Sequence, residues 1–279
     1  MSGQQQGEEV PTATLVVRVG YRGAGFSGYA EQPGQRTVAG ELRQALECAL
    51  RREVQMEVAG RTDAGVHALG QFVSVPLRGE EPRLEGRRLA ASLVALTPDD
   101  LSIVALYQAQ PGFSARFDAL RRHYRYRIAC GQPRPVMGWD HCWWLRGVDG
   151  LDLDAMNEGA SRLLGEHDFR SFCKASSAQL LEADGRSTCR RLDELRVSRV
   201  VEAGEELVAV DVTGNAFLHN MVRAITGSLV EIGRGHRDAD WLEAALEARS
   251  RAAAGPTAPA QGLCFEGVDY PSSSLARWW

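Results

Sequence analysis

Hydrophobic and polar positions along this chain follow two periods, and each change of period marks a change of element. Thr14 to Tyr21 (T-L-V-V-R-V-G-Y) is rich in branched residues and predicts a strand, after which Gly23, Gly25 and Gly28 mark a loop. Val38, Leu42, Ala45, Leu46, Ala49 and Leu50 recur at three-and-four spacing. They predict a helix capped by Thr37 and running to about Arg52. Val54, Met56 and Val58 alternate as a strand, as do Val73, Val75 and Leu77. A helix from Leu84 to Leu96 and a strand from Leu101 to Tyr107 complete a β-α-β-β-α-β order.

The second half repeats that order with longer connections. A strand at His123 to Cys130 is followed by a helix at Asp154 to Leu164 and strands near Leu192 to Val201 and Glu206 to Val212. Leu218, Met221, Val222, Ile225, Leu229 and Ile232 trace one face of a helix from about Ala216 to Ile232, with Gly233 as its C-terminal cap. A helix at Ala239 to Ala248 and a strand at Leu263 to Tyr270 close the chain. Ser176 to Ser187 reads as a long loop and Ala252 to Ala260 as a flexible connection. The fold expected is α+β: two tandem ferredoxin-like (split βαβ) units with mainly antiparallel sheets. Their expected limits are 14–110 and 111–279, after a disordered tail over 1–13.

A length of 279 residues, 44% hydrophobic and 24% charged, fits a soluble protein of two domains. No stretch approaches the roughly eighteen consecutive apolar residues of a membrane span. Met1 to Glu9 is polar and acidic rather than a secretion signal, so a cytoplasmic protein without membrane association is expected. Six cysteines form no C-x-x-C pair and six histidines no zinc spacing, so no structural metal is expected. The net charge of −4 argues against a nucleic-acid partner, but the distribution argues back. Among the basic residues only Lys174 is lysine, and arginine is the residue that grips phosphate and stacks on bases. Arg116, Arg121, Arg122, Arg125 and Arg127 cluster, as do Arg186, Arg190, Arg191, Arg196 and Arg199.

Ala59 to Gln71 (A-G-R-T-D-A-G-V-H-A-L-G-Q) concentrates the chemistry. Asp63 follows Arg61 by two positions, and a guanidinium that close favours the carboxylate form. A glycine-rich turn whose Asp caps a backbone N–H accounts for the same composition without function. His67 is flanked by Val66 and Ala68 and reads as a structural histidine rather than a base. On the Arg121–Arg127 strand, Tyr124 and Tyr126 share a face, with Arg125 and Arg127 on the other. That pattern serves base stacking beside phosphates, and equally two core tyrosines with bonded hydroxyls. Arg223 sits in an otherwise apolar helix, where a buried arginine requires a carboxylate partner unless it reaches solvent.

Gly60 to Gln71 resembles the G-R-T-D-x-G-V-H-A-x-G-Q signature of the TruA-type tRNA pseudouridine synthases. Ala115 to Tyr126 is similar to the A-R-F-x-A-x-x-R-x-Y-x-Y segment of that family, Asn215 to Arg223 to its N-x-F-x-x-x-M-V-R segment, and Gly262 to Pro271 to its G-L-x-L-x-x-V-x-Y-P close. The resemblance thus covers nearly the whole chain after the tail. Departures are peripheral: Tyr29-Ala30 stands where Trp-Gln is usual and Cys264-Phe265 where Tyr-Leu is common. The resemblance implies an isomerase converting uridine to pseudouridine in the anticodon stem-loop, at tRNA positions 38 to 40, without metal or organic cofactor. It implies Asp63 as catalytic residue, Tyr124 and Leu263 against the uracil, Arg223 paired with Asp63, and Arg61 at the substrate. It also implies tRNA as partner and a homodimer around an RNA-binding cleft.

Three rivals are weaker. An aspartic protease supplies its D-T-G or D-S-G turn twice, and no second copy exists here. A glycosidase needs two carboxylates about one bond. A noncatalytic RNA binder has no use for a carboxylate that repels phosphate.

Overall fold

The computed structural model describes residues 10–131 and 133–279; most of the tail expected over 1–13 lies outside them. The first half runs β1 (Ala13–Tyr21), α1 (Val38–Leu50), β2 (Glu57–Val58), β3 (His67–Leu77), α2 (Gly86–Leu96) and β4 (Leu101–Ala109). The second runs β5 (Arg121–Cys130), β6 (Trp143–Leu145), α3 (Leu153–Ser161), β7 (Gly165–Asp168), α4 (Ala175–Ala183), β8 (Cys189–Glu202), β9 (Glu205–Gly214), α5 (Met221–Gly233), α6 (Ala239–Glu247), β10 (Leu263–Asp269) and β11 (Ala276–Arg277).

The class is mixed α+β, with six α-helices among the described residues and one mainly antiparallel sheet of eleven strands. Its order is β11-β4-β1-β3-β10-β5-β9-β8-β7, with β2 on β3 and β6 on β5. Strands β3 and β10 join the halves through a short parallel pairing, Cys264 with His67 and Phe265 with Ala68. The C-terminal β11 crosses back to pair with β4. Buried side chains from both halves form one continuous cluster.

Local rules account for most elements. The branched run of β1 is buried on both faces, and its two edges are laddered to β3 and β4. The Thr37 hydroxyl accepts the Gly40 N–H at 3.2 Å, and Arg51, left-handed at φ 56°, stops α1. In β5 the alternation is as expected: Arg122, Tyr124, Tyr126 and Ile128 are buried on one face, with His123, Arg125 and Arg127 on the other.

Four expectations need correction. The helix predicted from Ala216 begins at Met221, because Asn220 is left-handed (φ 66°) and breaks the helical path. Its end is marked by Gly235 (φ 72°) rather than Gly233, which is the last helical residue. Ser176–Ser187 is not simply a loop but holds most of α4. Ala252–Ala260 is packed against α5: the Ala258 N–H donates to the Arg223 carbonyl and the Gly255 N–H to Ser228 Oγ.

Candidate active site

Asp63 stands in the loop entering β3, at the seam of the two halves. A tight turn holds it, with the Val66 N–H donating to the Asp63 carbonyl at 3.1 Å, and the turn needs Gly65 at φ 81°. Behind the loop, Tyr21 Oη and Thr62 Oγ1 are 2.8 Å apart, and Gln71 Nε2 donates to the Gly60 carbonyl at 2.6 Å. The first and last residues of the glycine-rich motif are therefore bonded to each other. His67 is structural: its Nδ1 accepts the Gly23 N–H at 3.2 Å and Nε2 lies 3.1 Å from the Asp140 carbonyl. Burial, chiefly, lowers its pKa from 6.5 to about 4.

Both oxygens of the Asp63 carboxylate are held. Arg223 Nη1 lies 3.2 Å from Oδ2 and His219 Nε2 lies 3.2 Å from Oδ1. Arg223 is aimed by its other contacts: Nε donates to the Ala258 carbonyl at 2.8 Å and Nη1 to Asn220 Oδ1 at 3.0 Å. Arg61, expected beside Asp63, is exposed and makes no ion pair among the described residues. The chain leaves the motif with the Arg61 side chain outward, and the carboxylate is met from α5 instead.

Tyr124 borders the same loop; a methyl on Gly60 would lie 3.5 Å from its hydroxyl. Phe217 and Phe265 meet its ring edge-to-face at 4.9 and 4.8 Å. Burial above all pushes the Tyr124 phenol well above its ordinary pKa, so it remains protonated. Tyr126 is a core residue, fully buried and donating to the Pro259 carbonyl at 2.7 Å. Leu263 is buried at the start of β10, opposite Tyr126 in register, while Phe265 lies opposite Tyr124.

Arg122 shares the tyrosine face and is buried without a carboxylate partner. It donates to the carbonyls of Ala59 (3.0 Å), Arg116 (2.7 Å), Asn215 (2.5 Å) and Ala119 (3.5 Å), and so ties three of the four motif segments together. The other arginines of β5 do not form the free basic row expected. Arg121 pairs with Asp269, Arg125 with Asp211 and Arg127 with Glu202 and Glu266, carboxylates brought by the neighbouring strands β8, β9 and β10. Sequence distance hid these partners.

His219 and Arg122 were both within quoted motifs, yet neither was singled out. No helical spacing points to His219, which precedes α5 on the far side of the left-handed Asn220. Asp63 is 31% exposed and is not among the residues lining a separate cavity of about 520 Å³ that includes Leu69, Arg127 and Cys264. Among the described residues no group of three or more His, Cys, Asp or Glu is placed to hold a metal. Nor is any helix there long and apolar enough to cross a membrane.

The family described as tRNA pseudouridine synthase matches residues 160–271. The chain is 39% identical over 276 residues to tRNA pseudouridine synthase A of Streptomyces avermitilis, covering 96% of this chain and 92% of that one. It is 39% identical over 252 residues to the protein of the same name from Rhizobium meliloti, covering 90% and 97%. Among solved structures, the archaeal box H/ACA sRNP Nop10-Cbf5 complex aligns at a TM-score of only 0.32 and 10% identity, covering 89% of this chain and 61% of that one. Identity of 39% over nearly the whole chain settles the classification: the chain belongs to the TruA-type tRNA pseudouridine synthase family.

Proposed function

We propose that this protein converts uridine to pseudouridine in the anticodon stem-loop of tRNA, at positions 38 to 40, with Asp63 as its catalytic residue. The observation that carries the reading is Asp63 itself: a carboxylate at the seam of the two halves, held at one oxygen by Arg223 across 160 residues of sequence and still 31% exposed. A carboxylate held but not covered is suited to meet a substrate. The reaction breaks the N1–C1′ bond, rotates the uracil and forms a C5–C1′ bond; C5 loses its proton and N1 gains one. Asp63 acts as a carboxylate, by adding to the sugar or base or by removing the ribose C2′ proton.

A stacked uridine is out of reach, so it must be flipped out, at a cost of a few kcal/mol for unstacking. Arg61, exposed and unpaired among the described residues, is available to grip the backbone or the vacated stack. Tyr124 and Leu263 line the uracil side. A phenol kept protonated by burial suits packing and hydrogen-bond donation better than accepting the C5 proton. Arg223 orients Asp63. The reading requires neither metal nor organic cofactor.

The order β4-β1-β3, with β2 beside β3, and the order β10-β5-β9-β8 each read fourth-first-third-second within their half once the short β6, β7 and β11 are set aside. That repetition supports two tandem ferredoxin-like units over 14–110 and 111–279, with the RNA cleft between them. A cytoplasmic homodimer completes the proposal. Incubation with unmodified tRNA transcripts, followed by mapping of pseudouridine in the anticodon arm, tests it. Modification confined to another arm would sink the site assignment, and a stable monomer with full activity would sink the dimer.

A further inference from the structure

We infer that His219 is a positioning residue for Asp63, and that the N-terminal turn of α4 exists in part to hold it there through Ser177. The inference rests on the assignment of Asp63 as catalytic residue and adds a second support to it. His219 Nε2 lies 3.2 Å from Asp63 Oδ1, the oxygen that Arg223 does not take. The other ring nitrogen, Nδ1, lies 2.8 Å from Ser177 Oγ. The backbone is pinned as well, the Lys174 N–H donating to the His219 carbonyl at 3.0 Å. Residues 174–177 thus grip both the main chain and the ring of a residue four positions before Arg223.

The chemistry of the ring explains the arrangement. With the Ser177 hydroxyl donating to Nδ1, a neutral imidazole carries its proton on Nε2 and points it at Asp63. With the hydroxyl accepting instead, Nδ1 carries a proton and only a doubly protonated ring offers another from Nε2, because a neutral ring would then turn a lone pair on the carboxylate. In either donating form Oδ1 receives a donor and the carboxylate plane is fixed from both ends, by Arg223 at Oδ2 and His219 at Oδ1. Each carboxylate oxygen accepts more than one hydrogen bond, so a lone pair remains on each for the reacting uridine. One donor alone leaves the carboxylate free to rotate about its Cβ–Cγ bond. The His219 side chain is 39% exposed, so no packing requirement accounts for a histidine here.

Steady-state kinetics on unmodified tRNA, with tRNA affinity measured in parallel, test the inference on wild type, His219→Phe, His219→Gln and Ser177→Ala. Loss of a hydrogen bond to a charged group predicts that His219→Phe lowers kcat by about 10- to 100-fold, with KM and tRNA affinity little changed. His219→Gln, whose amide N–H reaches the same oxygen, restores kcat to near wild type. Ser177→Ala falls between. Wild-type kcat in His219→Phe, or an equal loss in His219→Gln, overturns the inference while leaving Asp63 catalysis standing. An NMR spectrum of ¹⁵N-labelled histidine rings decides the pairing without any activity: a proton resident on His219 Nε2 that shifts in Asp63→Asn and in Ser177→Ala is expected. A ring unaffected by either variant refutes the pairing, even if wild type proves inactive on tRNA and the functional reading itself fails.

Discussion

Gly227→Ala sets two effects of opposite sign against each other. In the middle of α5, replacing glycine with alanine improves helix propensity by about 1 kcal/mol, so secondary structure alone predicts a more stable protein. The structure predicts the reverse. A methyl on Gly227 would sit 1.8 Å from the Pro256 carbonyl oxygen and 2.9 Å from its carbon, both backbone atoms that no side-chain rotation can clear. Carbon–oxygen contacts settle at about 3.3 Å or more, so the segment around Pro256 must withdraw by about 1.5 Å. That segment is tied to α5 by Ala258 N–H to the Arg223 carbonyl and Gly255 N–H to Ser228 Oγ. Overpacking costs about 1–3 kcal/mol, and each weakened hydrogen bond about 1 kcal/mol. The net is a loss of about 2–4 kcal/mol, or about 3–6 °C in Tm.

The same withdrawal has a catalytic consequence. The Ala258 carbonyl accepts from Arg223 Nε at 2.8 Å and fixes the guanidinium that meets Asp63. Misplacing a catalytic group by about 1 Å costs about 100-fold in rate. Thermal unfolding and single-turnover kinetics on tRNA read both effects. A higher Tm with unchanged rate would show that the packing of residues 255–258 on α5 does not hold Arg223, and would refute the reasoning.

Arg122→Met leaves the carbonyls of Ala59, Arg116 and Asn215 without their donor, and is expected to cost about 3 kcal/mol or more in denaturant unfolding and to lower kcat with it; stability within 1 kcal/mol of wild type would contradict this. His67 is neutral in the fold with its pKa lowered from 6.5 to about 4, so the unfolded chain binds the extra proton between those values. Its contribution is complete above about pH 6.5 and is lost as pH falls toward 4, about 2–3 kcal/mol by pH 4.5. Unfolding midpoints at pH 7 and 4.5 should differ less in His67→Gln than in wild type, and an equal difference would remove His67 as the cause.

The sequence made the short-range features legible. Period located α1 and the two faces of β5, because burial on one side leaves a repeat that no partner needs to explain, and branched-residue content located β1. The Thr37 cap was legible for the same reason, since donor and acceptor lie three residues apart. What it hid were the pairings between distant strands. Arg125 reads as a free cation until Asp211 arrives from β9, and Arg127 until β8 and β10 bring Glu202 and Glu266. The stretch 252–260 looked flexible from its Ala, Gly and Pro, yet those small residues are what allow it to lie against the α5 backbone at Gly227 and Ser228. Arg223 was legible because an arginine among apolar neighbours demands a partner; His219 was not, because a half-exposed histidine demands nothing.

Release of tritium from tRNA labelled at uracil C5, by wild type and by Asp63→Asn at equal tRNA occupancy, tests the central claim most directly, since forming the C5 glycosidic bond expels that hydrogen. Release by wild type and none by Asp63→Asn is the outcome the account predicts. Equal release by both would remove Asp63 from the chemistry, and release by neither, with tRNA bound, would contradict the isomerase itself.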